Sequence, residues 1–356
     1  MTHIDFYAIF VNKLKKIMAN DSFSIRLHEA RLMMKLSMEK LAELTGGIIT
    51  KQSISRYEKG TMHPKRNALR ALAQALHISE AYFDGTNLKI DMPMLRTTSN
   101  NKLNEEELKT IEAKLSFWTE QYLAKERETG FHTSFENPIA GTTVLSMEDA
   151  LHAADMLRKH WHCSDGPIPS ILRLLERKGF KILSAELPDG VLGLSTWADE
   201  KHPLIVMDLR PGKDSVERLR FTAAHELGHL LLTLPEIDSE DKKSTIEKRC
   251  DMFASFFLMP KSTYIEEMGG THREEVTVEE MIDIKEQYGL SLQALIIEAR
   301  DYGIIDTPYK RWWYDKYLEN NPKEIGLGHY PYAETIGREK RVDSIINHIK
   351  NKEEEK

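Results

Sequence analysis

Residues 221–234 read FTAAHELGHLLLTL. Within them His225-Glu226-Leu227-Gly228-His229 has the form HExxH, set among Phe221, Ala223, Ala224, Leu227 and Leu230 to Leu232, a strongly helical and apolar surrounding. Positions four apart lie on one helix face, so both imidazoles reach a single metal ion. Zn²⁺ accepts neutral imidazole nitrogen readily. Glu226 follows the first ligand and stands where a general base for activated water is needed. Such a site ordinarily takes three protein ligands and leaves one position open, so a downstream carboxylate is expected.

The best segment for that carboxylate is IEKRCDMFASFFLMP (246–260). Its pattern is helical and dense in apolar residues, except for Glu247 and Asp251, which are four apart and share a face. Glu247 is expected as the third ligand, and Asp251 as an acceptor for a ligating imidazole. Glu236, Asp238, Glu240 and Asp241, in the acidic stretch 236–241, are the rivals.

The chain has 356 residues, 41% hydrophobic and 29% charged, which suits two or three globular domains. Two cysteines, Cys163 and Cys250, supply neither a disulfide framework nor a Cys-type zinc site, so a reducing, cytoplasmic setting is expected. No run approaches the ~18 apolar residues of a membrane span. The N-terminal IDFYAIFV precedes Lys13, Lys15 and Lys16, the reverse of a secretory signal, and reads as an amphipathic helix. A net charge of −7 argues against nucleic-acid affinity for the chain as a whole. Residues 24–79, however, hold ten Lys and Arg against four Glu, the local excess that a DNA-binding module needs.

That basic stretch reads as four or five short helices. Ser37 is a candidate N-cap for MEKLAELTGG (38–47), and Thr50 for KQSISRYEKG (51–60), with Leu41, Ala42, Leu44, Ile54 and Tyr57 inward. Leu69, Leu72, Ala73 and Leu76 recur at helical spacing after Pro64. Two short helices joined by a turn, the second small, polar and basic, follow helix-turn-helix logic. The stretch LSMEKLAELTGG…TKQSISRYEKGTMHPKRNALRALAQAL resembles the Cro/C1 (xenobiotic-response-element, XRE) helix-turn-helix family, on Leu41, Ala42, the run Gln52 to Glu58, Gly60, Pro64 and residues 69–73. One departure is a longer turn, GGIITKQ. The resemblance implies double-stranded DNA as partner. Lys51, Gln52, Ser53, Ser55 and Arg56 would face the major groove, and Lys59, Lys65 and Arg66 the phosphates.

The expected partition is an N-terminal helical extension (1–23), the helix-turn-helix domain (24–83), a linker with an amphipathic helix (84–146), a metallopeptidase domain (147–306) and a C-terminal tail (307–356). In the linker, Leu108, Ile111, Leu115, Trp118 and Tyr122 form one apolar stripe. Packing on a neighbouring domain is the plainer expectation for it, and homodimerisation the sharper one. KILSAEL (181–187), VLGLSTWA (191–198) and PLIVMDL (203–209) read as strands ahead of the HExxH helix. The fold class is thus multidomain: an all-α helix-turn-helix domain, then a mainly helical α+β, zincin-like domain with a small sheet.

RLRFTAAHELGHLLL…EKRCDMFASFFLMP is similar to the ImmA/IrrE metallopeptidase family, matching at Glu247, Asp251, Phe253, Ala254, Met259 and Pro260, with Cys250 where the family usually has Ala. The resemblance implies a gluzincin-like zinc endopeptidase whose protein substrate is a helix-turn-helix repressor or antitoxin-like regulator. The alternative is a transcription regulator whose peptidase-like domain is a non-proteolytic sensor or scaffold. For an oxyanion donor, His202, Tyr264 and Arg220 are all conceivable and none stands out.

Overall fold

The computed structural model describes residues 22–85, 88–91, 94–97, 104–235 and 240–354. The chain divides into two compact units, one drawn from Met1–Ile90 and Lys102–Ala124, the other from Asp91–Asn101 and Lys125–Lys356. Most of the expected N-terminal extension, residues 1–21, lies outside the described residues, as do Glu236 and Asp238.

The first unit is all-α. Helix α1 (residues 22–33) is followed by α2 (Met38–Leu44), α3 (Lys51–Glu58), α4 (Arg66–Ala75) and a 3₁₀ turn, Glu80–Asp84. Ser37 and Thr50 cap α2 and α3, accepting from the amides of Lys40 and Ser53. Leu27, Leu41, Ile54 and Leu72 are wholly buried where the helices meet. Arg31 of α1 grips Glu58 at the end of α3 through two hydrogen bonds of 2.6 and 2.8 Å. Leu44, expected inward, is exposed. The helix stops there, and Thr45 takes the inward place instead, its hydroxyl donating to Ala42 O at 2.7 Å and accepting from the Ile49 amide. The longer turn is therefore pinned from inside.

Helix α5 (Glu105–Thr129) begins in this unit. Its Phe117 ring lies 5.4 Å from that of Tyr82. Glu120 pairs at 2.5 Å with Arg26, a fully buried guanidinium seated over the Tyr82 ring. This half of the expected linker is thus part of the N-terminal unit.

The second unit is α+β. Its four-stranded sheet comprises β1 (Met94–Thr97), β2 (Lys181–Ser184), β3 (Val191–Ala198) and β4 (His202–Met207), in the order β1-β3-β4-β2. β3 is antiparallel to both neighbours, and β2 is parallel to β4. β1 lies in the stretch expected to be linker. Four residues are too few for an alternating pattern to register in sequence, and the open edge of β3 supplies the backbone partners instead.

Helices α6 (Met147–His160) and α7 (Ile171–Arg177) precede β2, and α8 (Val216–Leu231) follows β4. α8 carries the HExxH pentad and packs against the sheet through β3 and against α9 (Glu240–Leu258). Two glycines set those distances. A Cβ on Gly193 would lie 2.7 Å from Thr222 Cγ2, and one on Gly228 3.2 Å from Phe253 Cδ1. Helices α10 (Lys261–Glu267), α11 (Val278–Tyr288) and α12 (Leu292–Asp301) complete the core. No helix among the described residues is long and apolar enough to cross a membrane.

The expected tail is built into this unit rather than appended to it. Helix α13 (Thr307–Tyr317) buries Trp313 completely, and α14 (Arg338–Glu354) buries Val342. Between them Glu334 caps α7, accepting from Ser170 Oγ and the amides of Ile171 and Leu172. It also pairs at 2.7 Å with Arg220 of α8, both side chains wholly buried. Glu324 plays the same part for α12, with Lys285 as its cation. Removing one partner of a buried pair strands the other charge, at a cost of about 3–5 kcal/mol. Glu334→Ala should therefore lower the unfolding free energy by about that amount. Urea denaturation checks this; a loss under about 1 kcal/mol would mean that Arg220 is held by the carbonyls of Ile168 and Tyr288 alone.

Candidate metal centre and nucleic-acid interface

α8 and α9 bring His225, His229 and Glu247 to one point. One ligand atom from each lies within 4.8 Å of the others, and no other group of this kind occurs among the described residues. His225 Nε2 is 3.2 Å and His229 Nε2 3.5 Å from opposite oxygens of Glu247. The two Nε2 atoms are 3.1 Å apart. Both imidazoles are buried, while Glu247, 28% exposed, opens the cluster to solvent.

The other nitrogens are also held. His225 Nδ1 donates to Asp251 Oδ1 at 2.8 Å, which leaves the Nε2 lone pair facing the cluster. Asp251 in turn meets Arg96 of β1 at 3.0 Å. His229 Nδ1 is 3.5 Å from the Cys250 sulfur. Burial, with Glu247 nearby, pushes the Cys250 thiol far up, so the sulfur faces His229 as a neutral group.

Glu226, on the same helix, is wholly buried against β3. Its Oε2 accepts from Ser195 Oγ at 2.5 Å, and its Oε1 has no hydrogen-bond partner. Two imidazole nitrogens, one carboxylate oxygen and an unpaired buried carboxylate oxygen beside them form a donor set that fits a metal ion with an open position.

The charges reinforce one another. Burial pushes the Glu247 carboxyl up, but hydrogen bonds with His225 and His229 outweigh it and hold the group far below the usual carboxylate range. Burial pulls the His225 imidazole down, and Asp251 and Glu247 outweigh that, so its net shift is upward.

Two of the three conceivable oxyanion donors are engaged elsewhere. Tyr264 donates its hydroxyl to Leu295 O at 2.6 Å in the core. Arg220 is spent on Glu334 and backbone carbonyls. The third, His202, lies at the start of β4, where burial, with Lys181 nearby, pulls its imidazole below the usual range. Sequence reading missed Gly193, Ser195 and Arg96. The first two carry a weak signal, two small residues at i and i+2 on one side of an apolar strand. Arg96 carries none.

In the first unit, α3 presents Lys51, Gln52, Arg56 and Lys59 to solvent, with Ser53 and Ser55 half-buried and Ile54 and Tyr57 turned inward. Ser53 serves mainly the N-cap, its hydroxyl 3.1 Å from that of Thr50. Lys51 forms an exposed ion pair with Glu39 of α2, a contact weak enough for a phosphate to displace. Gln52, Arg56 and Lys59 carry no ion pair among the described residues and are the free donors of this face. Lys65 and Arg66, at the start of α4, are also exposed.

Residues 27–83 match the helix-turn-helix family profile, and residues 175–299 that of the IrrE N-terminal-like domain, a peptidase family. The chain is an XRE-type helix-turn-helix fused to an ImmA/IrrE-like domain, which implies a DNA-binding regulator with a peptidase-like domain. No curated protein matches it. Among solved structures it is similar to the apo form of ComR from S. thermophilus, at 13% identity over 79% of this chain and 72% of that one, with a TM-score of 0.17.

Glu247, with its folded pKa depressed, contributes stability above its ordinary 4.5 that is lost as pH falls through the folded value. His225, with its pKa raised, contributes stability below its ordinary 6.5 that is lost as pH rises through the folded value. In chelator, the difference in melting temperature between wild type and Glu247→Gln should peak between pH 4.5 and 6.5 and shrink on both sides; a flat difference would refute the coupling. On α3, Gln52→Ala with Arg56→Ala should abolish preference for a duplex selected from random sequence. Lys59→Ala should weaken all duplexes alike and reduce the salt slope by about one. Anisotropy titrations across salt concentrations separate the two effects.

Proposed function

We propose that this chain is a DNA-binding transcriptional regulator whose second unit is a zinc-dependent endopeptidase acting on a helix-turn-helix repressor or a similar regulatory protein. The observation that carries this reading is the meeting of His225, His229 and Glu247 beside the buried carboxylate of Glu226. A structural zinc site needs no base there. A zinc ion bound by those three side chains would supply Lewis-acid activation of water and of the scissile carbonyl.

The protein's own groups do the rest. Asp251 holds the His225 ring in the tautomer that turns Nε2 inward. Ser195 orients the Glu226 carboxylate through Oε2, leaving Oε1 to take a proton from the attacking water and pass it to the leaving amine. Exposure of the Glu247 side leaves an approach for substrate. The pairing of a helix-turn-helix unit with such a domain favours a regulatory protein as substrate over a nutritional one. The same pairing, with two free cysteines, suits a reducing cytoplasm.

Metal analysis of purified protein should give about one zinc per chain in wild type and in Glu226→Gln, and none in Glu247→Ala. Cleavage of a co-expressed repressor should be lost in Glu226→Gln. Unchanged cleavage in that variant would sink the catalytic assignment, and zinc retained in Glu247→Ala would sink the ligand set.

A further inference from the structure

We propose that the edge of β3 is a docking site for an extended peptide, and that β1 occupies it as a built-in competitor of substrate. The regulatory consequence rests on the peptidase reading; the docking itself does not.

β1 runs antiparallel along β3, with Met94 opposite Ser195, Leu95 opposite Leu194 and Arg96 opposite Gly193. Two of those β3 residues, Ser195 and Gly193, lie against Glu226. Ser195 donates to its Oε2, and a Cβ on Gly193 would lie 3.4 Å from its Oε1. Any strand seated on this edge therefore runs beside the candidate base. The contact extends upstream, where the Asp91 amide donates to Trp197 O at 3.0 Å and its carbonyl accepts from Thr196 Oγ1 at 2.7 Å. From the strand, Arg96 reaches over the Phe221 ring to Asp251, the carboxylate that holds His225.

β1 belongs to the second unit but joins it from a distant part of the chain. It lies outside residues 175–299, and in the chain it is bracketed by the two stretches that build the other unit. It is four residues long, and its register slips between Arg96 and Thr97, so few ladder bonds hold it. A sheet edge captures an extended peptide through main-chain hydrogen bonds, while side-chain positions select among sequences. The selecting position here is the one opposite Gly193, where a basic side chain meets Asp251. The ligand class is an unfolded or extended peptide with Arg or Lys at that point. A competitor tethered in the chain acts at an effective concentration on the order of millimolar, which makes the site latent.

The test uses full-length Glu226→Gln protein, with and without replacement of residues 94–97 by Gly-Ser-Gly-Ser. The probe is a fluorescent synthetic peptide of residues 90–99, IDMPMLRTTS. Freeing the edge should tighten binding by about tenfold or more, and Arg96→Glu in the peptide should undo the gain. Hydrogen exchange should show β3 amides deprotected in the replaced protein and protected again by peptide. Arg96→Glu in the full chain, which sets like charge against Asp251, repeats the release should the replacement misfold. Equal affinity with and without β1 would overturn the proposal. With Glu226 intact and zinc added, peptide binding without cleavage of a co-expressed repressor by the replaced protein would uphold the docking site and sink the peptidase reading. Repressor cleavage raised by the replacement, with no peptide binding, would do the reverse.

Discussion

One helix, α8, is held at near-zero clearance on two sides, and the second unit is organised around that fit. Gly228 lets it lie against α9, and Gly193 lets β3 lie against it. A methyl group at Gly193 would collide with Thr222 of α8, and one at Gly228 would press on the Phe253 ring of α9. Interiors are close-packed, so such crowding cannot be absorbed locally. The close approach of α9 and of β3 to α8 thus depends on the absence of two side chains.

Buried charge is the second organising constraint. Arg220 sits five residues before His225 on α8, with Glu334 from the far end of the chain as its partner. Glu217 of the same helix accepts from the Tyr330 amide at 2.7 Å. The segment between α13 and α14 therefore clamps the first half of α8, while α9 and β3 hold the second. A buried ion pair adds little net stability compared with apolar residues, but it tolerates no alternative partner. That intolerance suits a helix whose rotation by a fraction of a turn would disperse the cluster.

Much of this architecture was legible in the sequence. The spacing of His225 and His229, and of Glu247 and Asp251, became adjacency because a helix converts separations of four into a shared face. The helix-turn-helix unit was readable for the same reason, through caps at Ser37 and Thr50 and an apolar repeat. Where the reading failed, a local rule met a tertiary alternative. Leu44 fits the apolar pattern of α2, yet Thr45 won the inward position through one hydrogen bond back to α2 and one from the turn. The stripe on α5 was visible, but not which unit its halves would join.

By itself, then, the sequence determined the two unit types, the helix carrying the paired histidines and the segment that supplies acidic side chains to them. These depend on periodicities of a few residues, which the chain carries openly. Only the tertiary structure decided that Ser195 would orient Glu226, that Arg96 would reach Asp251, that Glu334 would neutralise Arg220 and that β1 would close the edge of β3. Each joins residues tens to more than a hundred positions apart. Strand pairing and buried ion pairs are satisfied by whichever partner the fold delivers, so no local pattern announces them.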